Sequence, residues 1–340
     1  MDFQEMDKPS LSADETWFPR PIQAQRDAKL RVFCFHGAGM ESSIWTSRGT
    51  SLSPMPNPFI DLAQTDAVCF LAIQLPFRGL RRKEKHPETI QEAARQILQA
   101  MKPMLSPGEC PYVLVGYSMG CWIAYELLCL VKQQGLPLPL HFVVAGMVSP
   151  DLEASKRPWK CTEKLDTKAF QVRRIVWRKV VAWCGDQLRA WSCNEILFQR
   201  DMWTAYEPLL RADHNMLDKY HFTDMCGSLS EFMHIALTTF GPLFAPGKLF
   251  ALSSDVPCSV FRGKDDKQLD DDALFQGWFA LLGNGGTHKN GSSNTNHKHN
   301  SVKLLEGNHG LIFDAERRKK FFSHIVDILD GLLLNIEYGH

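Results

Sequence analysis

The chain has 340 residues, 44% apolar and 22% charged, the make-up of an ordinary soluble globular protein. Thirty-eight basic side chains balance 38 acidic ones, so no charge excess points to nucleic acid or to an anionic membrane surface as a partner. The ten cysteines include no C-x-x-C pair, and Cys34, Cys69, Cys121 and Cys129 fall inside apolar patterns, so a reduced, cytoplasmic compartment is expected rather than a disulfide framework.

Met1 to Thr16 is polar and acidic, without the apolar stretch of a secretory signal. The first strand is expected over Leu30 to Phe35, and it runs into the loop His36-Gly37-Ala38-Gly39. A second strand follows over Ala67 to Leu75, then a helical pattern from Thr89 to Leu105. The run Tyr112 to Val115 leads into Gly116-Tyr117-Ser118-Met119-Gly120 and a helix over Cys121 to Gln134. The apolar part of that helix, Cys121 to Val131, contains Glu126 and is far too short to span a membrane. Further strands are expected at His141 to Gly146, Cys258 to Phe261 and Val302 to Leu305. Helical patterns cover Asp270 to Leu282 and Glu316 to Leu334. Near-continuous apolarity marks parallel strands buried on both faces. The alternating order implies an α/β fold, a mostly parallel central sheet with helices on both faces.

Two segments interrupt the alternation. Residues 149–239 lack strand patterns but hold amphipathic stretches such as Ala169 to Cys184 and many aromatic residues, and they are expected to form a helical lid insertion. The core is then 17–148 together with 240–335. Residues 283–301 are low in complexity and nearly free of apolar groups, so a disordered loop is expected there. Its His288, His297 and His299 read as polar filler, and no metal site is expected.

A G-x-S-x-G arises by chance in about one chain in ten of this length; its place between a strand and a helix gives it weight. That context is a nucleophile elbow, in which Gly116 and Gly120 leave room for a sharp turn that presents the Ser118 hydroxyl. A serine needs a base, an orienting acid and an oxyanion site. His309 follows the last strand in Glu306-Gly307-Asn308-His309-Gly310 and supplies the base. The acid should follow the preceding strand, where Asp265 and Asp266 both stand; one orients the imidazole and the other is a turn residue. The order Ser, Asp, His is that of the α/β-hydrolase fold. The oxyanion hole needs the Met119 N–H and a second amide from an early loop, which Ala38 provides; the same His36–Gly39 loop would also serve as a plain tight turn.

Six motifs follow one another: Arg31 to Gly39 (RVFCFHGAG), Gln74 to Arg78 (QLPFR) with Arg81 and Arg82, Gly116 to Gly120 (GYSMG), Glu207 to Asp213 (EPLLRAD) with Tyr220, Arg262 to Asp266 (RGKDD) and Gly307 to His309 (GNH). Together they resemble the type II thioesterases that accompany polyketide, nonribosomal peptide and fatty acid synthases, over nearly the whole chain from Trp17 to the last helix. The lid and Q-L-P motifs are specific to that family. His36, Phe77 and Asn308 depart from its usual F-P-Y-A-G-G, Q-L-P-G-R and G-G-H. The resemblance assigns the acid to Asp266. It implies hydrolysis of acyl thioesters on the phosphopantetheine arm of an acyl or peptidyl carrier protein, with no cofactor, and a monomer is expected. An esterase acting on oxygen esters and a catalytically silent carrier-binding module are the alternatives. Phe170, Trp177, Phe198, Trp203 and Leu209 are expected to line or cover the acyl groove.

Overall fold

Six apolar runs form the strands of one sheet: β1 (Leu30–Phe35), β2 (Val68–Ala72), β3 (Tyr112–Tyr117), β4 (His141–Ala145), β5 (Cys258–Gly263) and β6 (Lys303–Leu305). The computed structural model describes residues 13–23, 28–65, 67–159, 161–163, 165–166, 170, 199–222, 256–282 and 301–338. The strand order is β2-β1-β3-β4-β5-β6, and every neighbouring pair is parallel. Parallel neighbours require crossovers rather than hairpins. The helices of the described residues are α1 (Ala13–Trp17), α2 (Ser43–Thr46), α3 (Pro58–Thr65), α4 (Ile90–Met101), α5 (Met119–Gln133), α6 (Arg200–Asp218), α7 (Gln276–Leu282) and α8 (Ala315–Tyr338).

Successive side chains of a strand point to opposite faces, and here both faces are covered. Tyr112 and Leu114 of β3 pack with α4, α5 and α7, among Ile97, Trp122 and Trp278. Val113, Val115 and Tyr117 pack on the other face with α3 and α8, among Phe59, Phe321 and Phe322. The central strands must then be largely apolar on both faces, which is why their runs read as nearly continuous. On the second face Phe59 stacks between Phe70 and Phe322 at centroid distances of 4.4 and 4.3 Å; truncating such a ring to alanine costs about 3–5 kcal/mol.

The second strand is shorter than its apolar run. Ile73 still donates to Cys34 O, but the Gln74 amide turns away to Trp17 O, both at 2.9 Å. Ile73 and Leu75 stay buried beyond the ladder. Within residues 149–239, the 19-residue helix α6 is the largest described element. Apart from Phe170, the stretch Ala169 to Cys184 lies outside the described residues, as do all of the low-complexity loop except Ser301, and Trp177 and Phe198. Among the described residues no helix is long and apolar enough to cross a membrane.

Candidate active site

Ser118 stands alone between β3 and α5, with φ 51° and ψ −128°. A side chain in such a region costs about 1–3 kcal/mol and persists only where the surroundings impose it. They do so here. The Ser118 amide donates to Ala145 O at 2.8 Å, and Cys121 N donates to Ser118 O at 2.9 Å. A Cβ on Gly116 would lie 2.6 Å from Cys121 Cα, and one on Gly120 would lie 2.4 Å from Phe35 O. Only glycine at both positions lets α5 start this close to β1 and β3.

The loops after β5 and β6 bring two more side chains to the serine. His309 Nδ1 lies 2.9 Å from Asp266 Oδ2, and His309 Nε2 lies 3.0 Å from Ser118 Oγ. An ionised carboxylate only accepts, so Nδ1 carries the proton and Nε2 is left to accept from the serine hydroxyl. All three side chains are buried. Asp266 Oδ1 also accepts from Gln268 N at 3.2 Å. Asp265 is exposed and contributes its amide to Gly307 O at 3.0 Å, so the two aspartates divide between the imidazole and the turn. Tyr117 Oη donates to His309 O. Burial drives the Tyr117 hydroxyl well above the usual tyrosine range, aided by the Asp266 charge, and keeps it a donor.

Ala38 is half-buried beside Ser118 in the wall of a cavity of about 520 Å³. Its amide takes no acceptor among the described residues. Met119 opens α5, and the first amides of a helix have no intrahelical acceptor. The loop that carries Ala38 is fixed from α6. Gly39 N donates to Asp213 Oδ2 at 2.7 Å. Arg78 grips the same carboxylate with two bonds of 2.8 and 3.0 Å and donates to Met40 O at 3.0 Å. His86 Nε2 lies 2.7 Å from Asp213 Oδ1. Both Arg78 and Asp213 are fully enclosed. Burial would raise the Asp213 carboxyl, but Arg78 and His86 outweigh it and hold the group far below the usual carboxylate range. Nearby, burial and then the Arg78 charge push His36 down to about 3, so it is neutral at physiological pH.

This bridge joins the Q-L-P-F-R and E-P-L-L-R-A-D motifs, and sequence reasoning did not pair them. The available signal was an arginine and an aspartate standing inside two otherwise specific motifs.

The cavity wall under α6 consists of Met202, Tyr206, Leu210, His214 and Leu217. Steps of three and four residues put these on one row of the helix. Of the residues expected to line or cover the groove, Phe170, Trp203 and Leu209 are buried and none lines the cavity. Trp203 is one position from Met202 and Leu209 one from Leu210, a turn of about 100° that moves both to the flanks of the row. Phe170 and Trp203 pack together at 5.9 Å, with Leu210 in the same small cluster. Burial lowers the His214 imidazole from its ordinary value, and the neighbouring carboxylates of Asp218 and Asp213 oppose the shift.

A model of the thioesterase domain family matches residues 31–329. The gramicidin S biosynthesis protein GrsT of Aneurinibacillus migulanus is 25% identical over 233 residues, 68% of this chain and 76% of that protein. A probable cadicidin biosynthesis thioesterase of Streptomyces griseus is 29% identical over 154 residues, 44% of this chain and 38% of its own length. Among solved structures, the thioesterase RedJ from the prodiginine biosynthetic pathway of Streptomyces coelicolor has the same fold. Its TM-score is 0.56 at 20% identity, covering 92% of this chain and 98% of RedJ.

Proposed function

The chain belongs to the thioesterase domain family and is a thioester hydrolase, and we propose that it releases acyl groups from the phosphopantetheine arm of a carrier protein through an acyl-Ser118 intermediate. The observation that carries this reading is the continuous hydrogen-bond path from Asp266 through His309 to Ser118 at the floor of a largely apolar cavity. Ser118 Oγ attacks the thioester carbonyl as its proton passes to His309 Nε2. The carbonyl oxygen becomes an oxyanion facing the Ala38 and Met119 amides. Asp266 accepts from Nδ1–H and stabilises the imidazolium. The C–S bond then breaks, and His309 returns its proton to the departing thiolate. Water, deprotonated by the same nitrogen, attacks the acyl ester; the acid leaves and Ser118 regains its proton.

The names of the relatives, which belong to peptide and other natural-product pathways, favour a carrier-bound substrate over free acyl-CoA. Purified protein is assayed on one acyl group presented on a holo carrier protein, on coenzyme A and as a p-nitrophenyl ester. We expect the highest kcat/KM on the carrier protein. A faster rate on the oxygen ester makes the chain an esterase, and binding of the carrier without turnover on any substrate makes it a silent docking module.

A further inference from the structure

The cavity holds a cation that the reaction above does not use. Arg318 lies in the first turns of α8, is 1% exposed and forms part of the cavity wall. Of its five N–H donors, Nη2 bonds Ser47 O at 2.8 Å, and Nε is buried with no partner. The guanidinium rests over Phe322, 4.8 Å from the ring centroid. No carboxylate pairs with it among the described residues. Burial brings it down to about 10, so it is still charged at neutral pH.

Charges taken out of water are normally paired, and an unpaired buried donor calls for an explanation. Arg78 in the same protein shows the usual solution, since Asp213 meets its planar fork with two oxygens. Arg318 has the fork without the carboxylate. Ser47, whose carbonyl it bonds, is a lining residue of the same cavity, as are Met202 and Leu210 of α6. The one acid in the wall, Glu41, sits over Gly79, whose Cβ would come 3.1 Å from Glu41 Oε2. It makes no ion pair with Arg318.

We propose that Arg318 receives an anionic oxygen group of the substrate, and that this group is a carboxylate on the acyl chain. The site would then favour half-thioesters of dicarboxylic acids over acyl groups ending in methyl. The pantetheine phosphate could supply the same chemistry. It is disfavoured because it joins the arm to the carrier protein outside the cavity, whereas Arg318 is enclosed within it. The proposal rests on the thioesterase reading for its substrate but not for the binding contact.

The test crosses two variables. Acyl groups of about four to ten carbons, ending in carboxylate or in methyl, are presented on N-acetylcysteamine, which carries no phosphate, and on coenzyme A. We expect wild-type kcat/KM to favour the carboxylate ending by about 10- to 100-fold at one chain length, the size of a charge-assisted pair. Arg318→Met, which keeps the length of the stem, should lose that preference, and Arg318→Lys should keep part of it while preserving the charge. Absence of the preference in wild type at every length, or its survival in Arg318→Met, overturns the proposal. A loss in Arg318→Met confined to coenzyme A substrates assigns the phosphate and also overturns it. Calorimetric titration of the matching amide analogues, in which nitrogen replaces the thioester sulfur, reads the contact without turnover. Binding of the carboxylate analogue weakened by the same factor in Arg318→Met supports the contact even if no thioester is cleaved, and equal binding rejects it. Failure of hydrolysis on every substrate would count against the thioesterase reading alone.

Discussion

The two sides of the cavity are held in place by different physics. On one side, Ser118, Asp266 and His309 sit on turns that leave β3, β5 and β6, held by backbone hydrogen bonds such as Ser118 N to Ala145 O and Asp265 N to Gly307 O and by the Tyr117 hydroxyl on His309 O. On the other, the loop carrying Ala38 is held by a buried side-chain charge network in which Asp213 of α6 takes the Gly39 amide and Arg78 caps Met40 O. Each side contains one of the two non-glycine residues with positive φ among the described residues, Ser118 and Phe77. The sheet positions the proposed reacting groups, while α6 positions the loop that faces them. Damage to the first side should therefore remove chemistry and leave the fold intact. Damage to the second should cost stability and rate together.

The largest effect belongs to the sheet side. Ser118→Ala and His309→Ala should each lower thioester turnover by up to about 10⁶-fold, and the double variant should be hardly worse, because such groups act as a unit. Melting temperatures should stay near that of wild type. Turnover near the wild-type rate in either folded variant would remove the serine mechanism.

Next in size is the aspartate. Asp266→Asn leaves the geometry in place but favours the wrong imidazole tautomer, a loss of about 10⁴ in a comparable serine protease. Asp265 is exposed and offers only its amide, so Asp265→Asn should stay within a few-fold of wild type. The ratio of the two kcat values checks this, and an inverted ranking would exchange their roles.

The charge network should respond differently. Asp213→Asn strands a fully enclosed guanidinium, and breaking a buried pair from one side costs about 3–5 kcal/mol. Turnover should fall with it, since Gly39 N loses a charged acceptor. The double variant Arg78→Met/Asp213→Leu removes both charges, a replacement that is often neutral for stability. Its melting temperature should recover while kcat stays about tenfold or more below wild type. Recovery of kcat as well would mean that the pair serves stability and leaves the loop untouched.

How far the sequence reveals these features depends on how local their causes are. The strands are legible because burial on both faces makes β1, β3 and β4 apolar nearly throughout, with the half-buried Arg31 and His141 standing at their N-terminal ends. The elbow is legible because two steric contacts, at Gly116 and Gly120, admit one residue type. The Arg78–Asp213 bridge spans 135 positions, and no local pattern announces it. Size misled the reading of the cavity wall. Trp203 is the larger side chain, yet helical phase assigns the wall to Met202, Tyr206 and Leu210. The same phase picks out Arg318. Within the basic run 317–320 it alone is buried, because it falls three, four and seven positions before Phe321, Phe322 and Ile325 of the core face.

The smallest effect sharpens the comparison at its strained residues. Phe77 holds φ 67° immediately before Arg78, where glycine would be free of strain. Left-handed backbone costs a residue with a Cβ about 1–2 kcal/mol. Against that, the half-buried ring meets His86 edge-on at 5.9 Å, a contact of about 0.5–1.5 kcal/mol. Glycine would also gain freedom in the unfolded chain, which offsets about another 0.5–1 kcal/mol. The terms nearly cancel, so Phe77→Gly should move the melting temperature by no more than a few degrees and leave kcat unchanged. Phe77→Val keeps the strain, worsens it by β-branching and loses the ring, so it should melt clearly lower. If Phe77→Gly instead lowered kcat tenfold at unchanged stability, the ring would act on the Ala38 loop through His86 and Asp213, and the strain on this side of the cavity would serve the reaction.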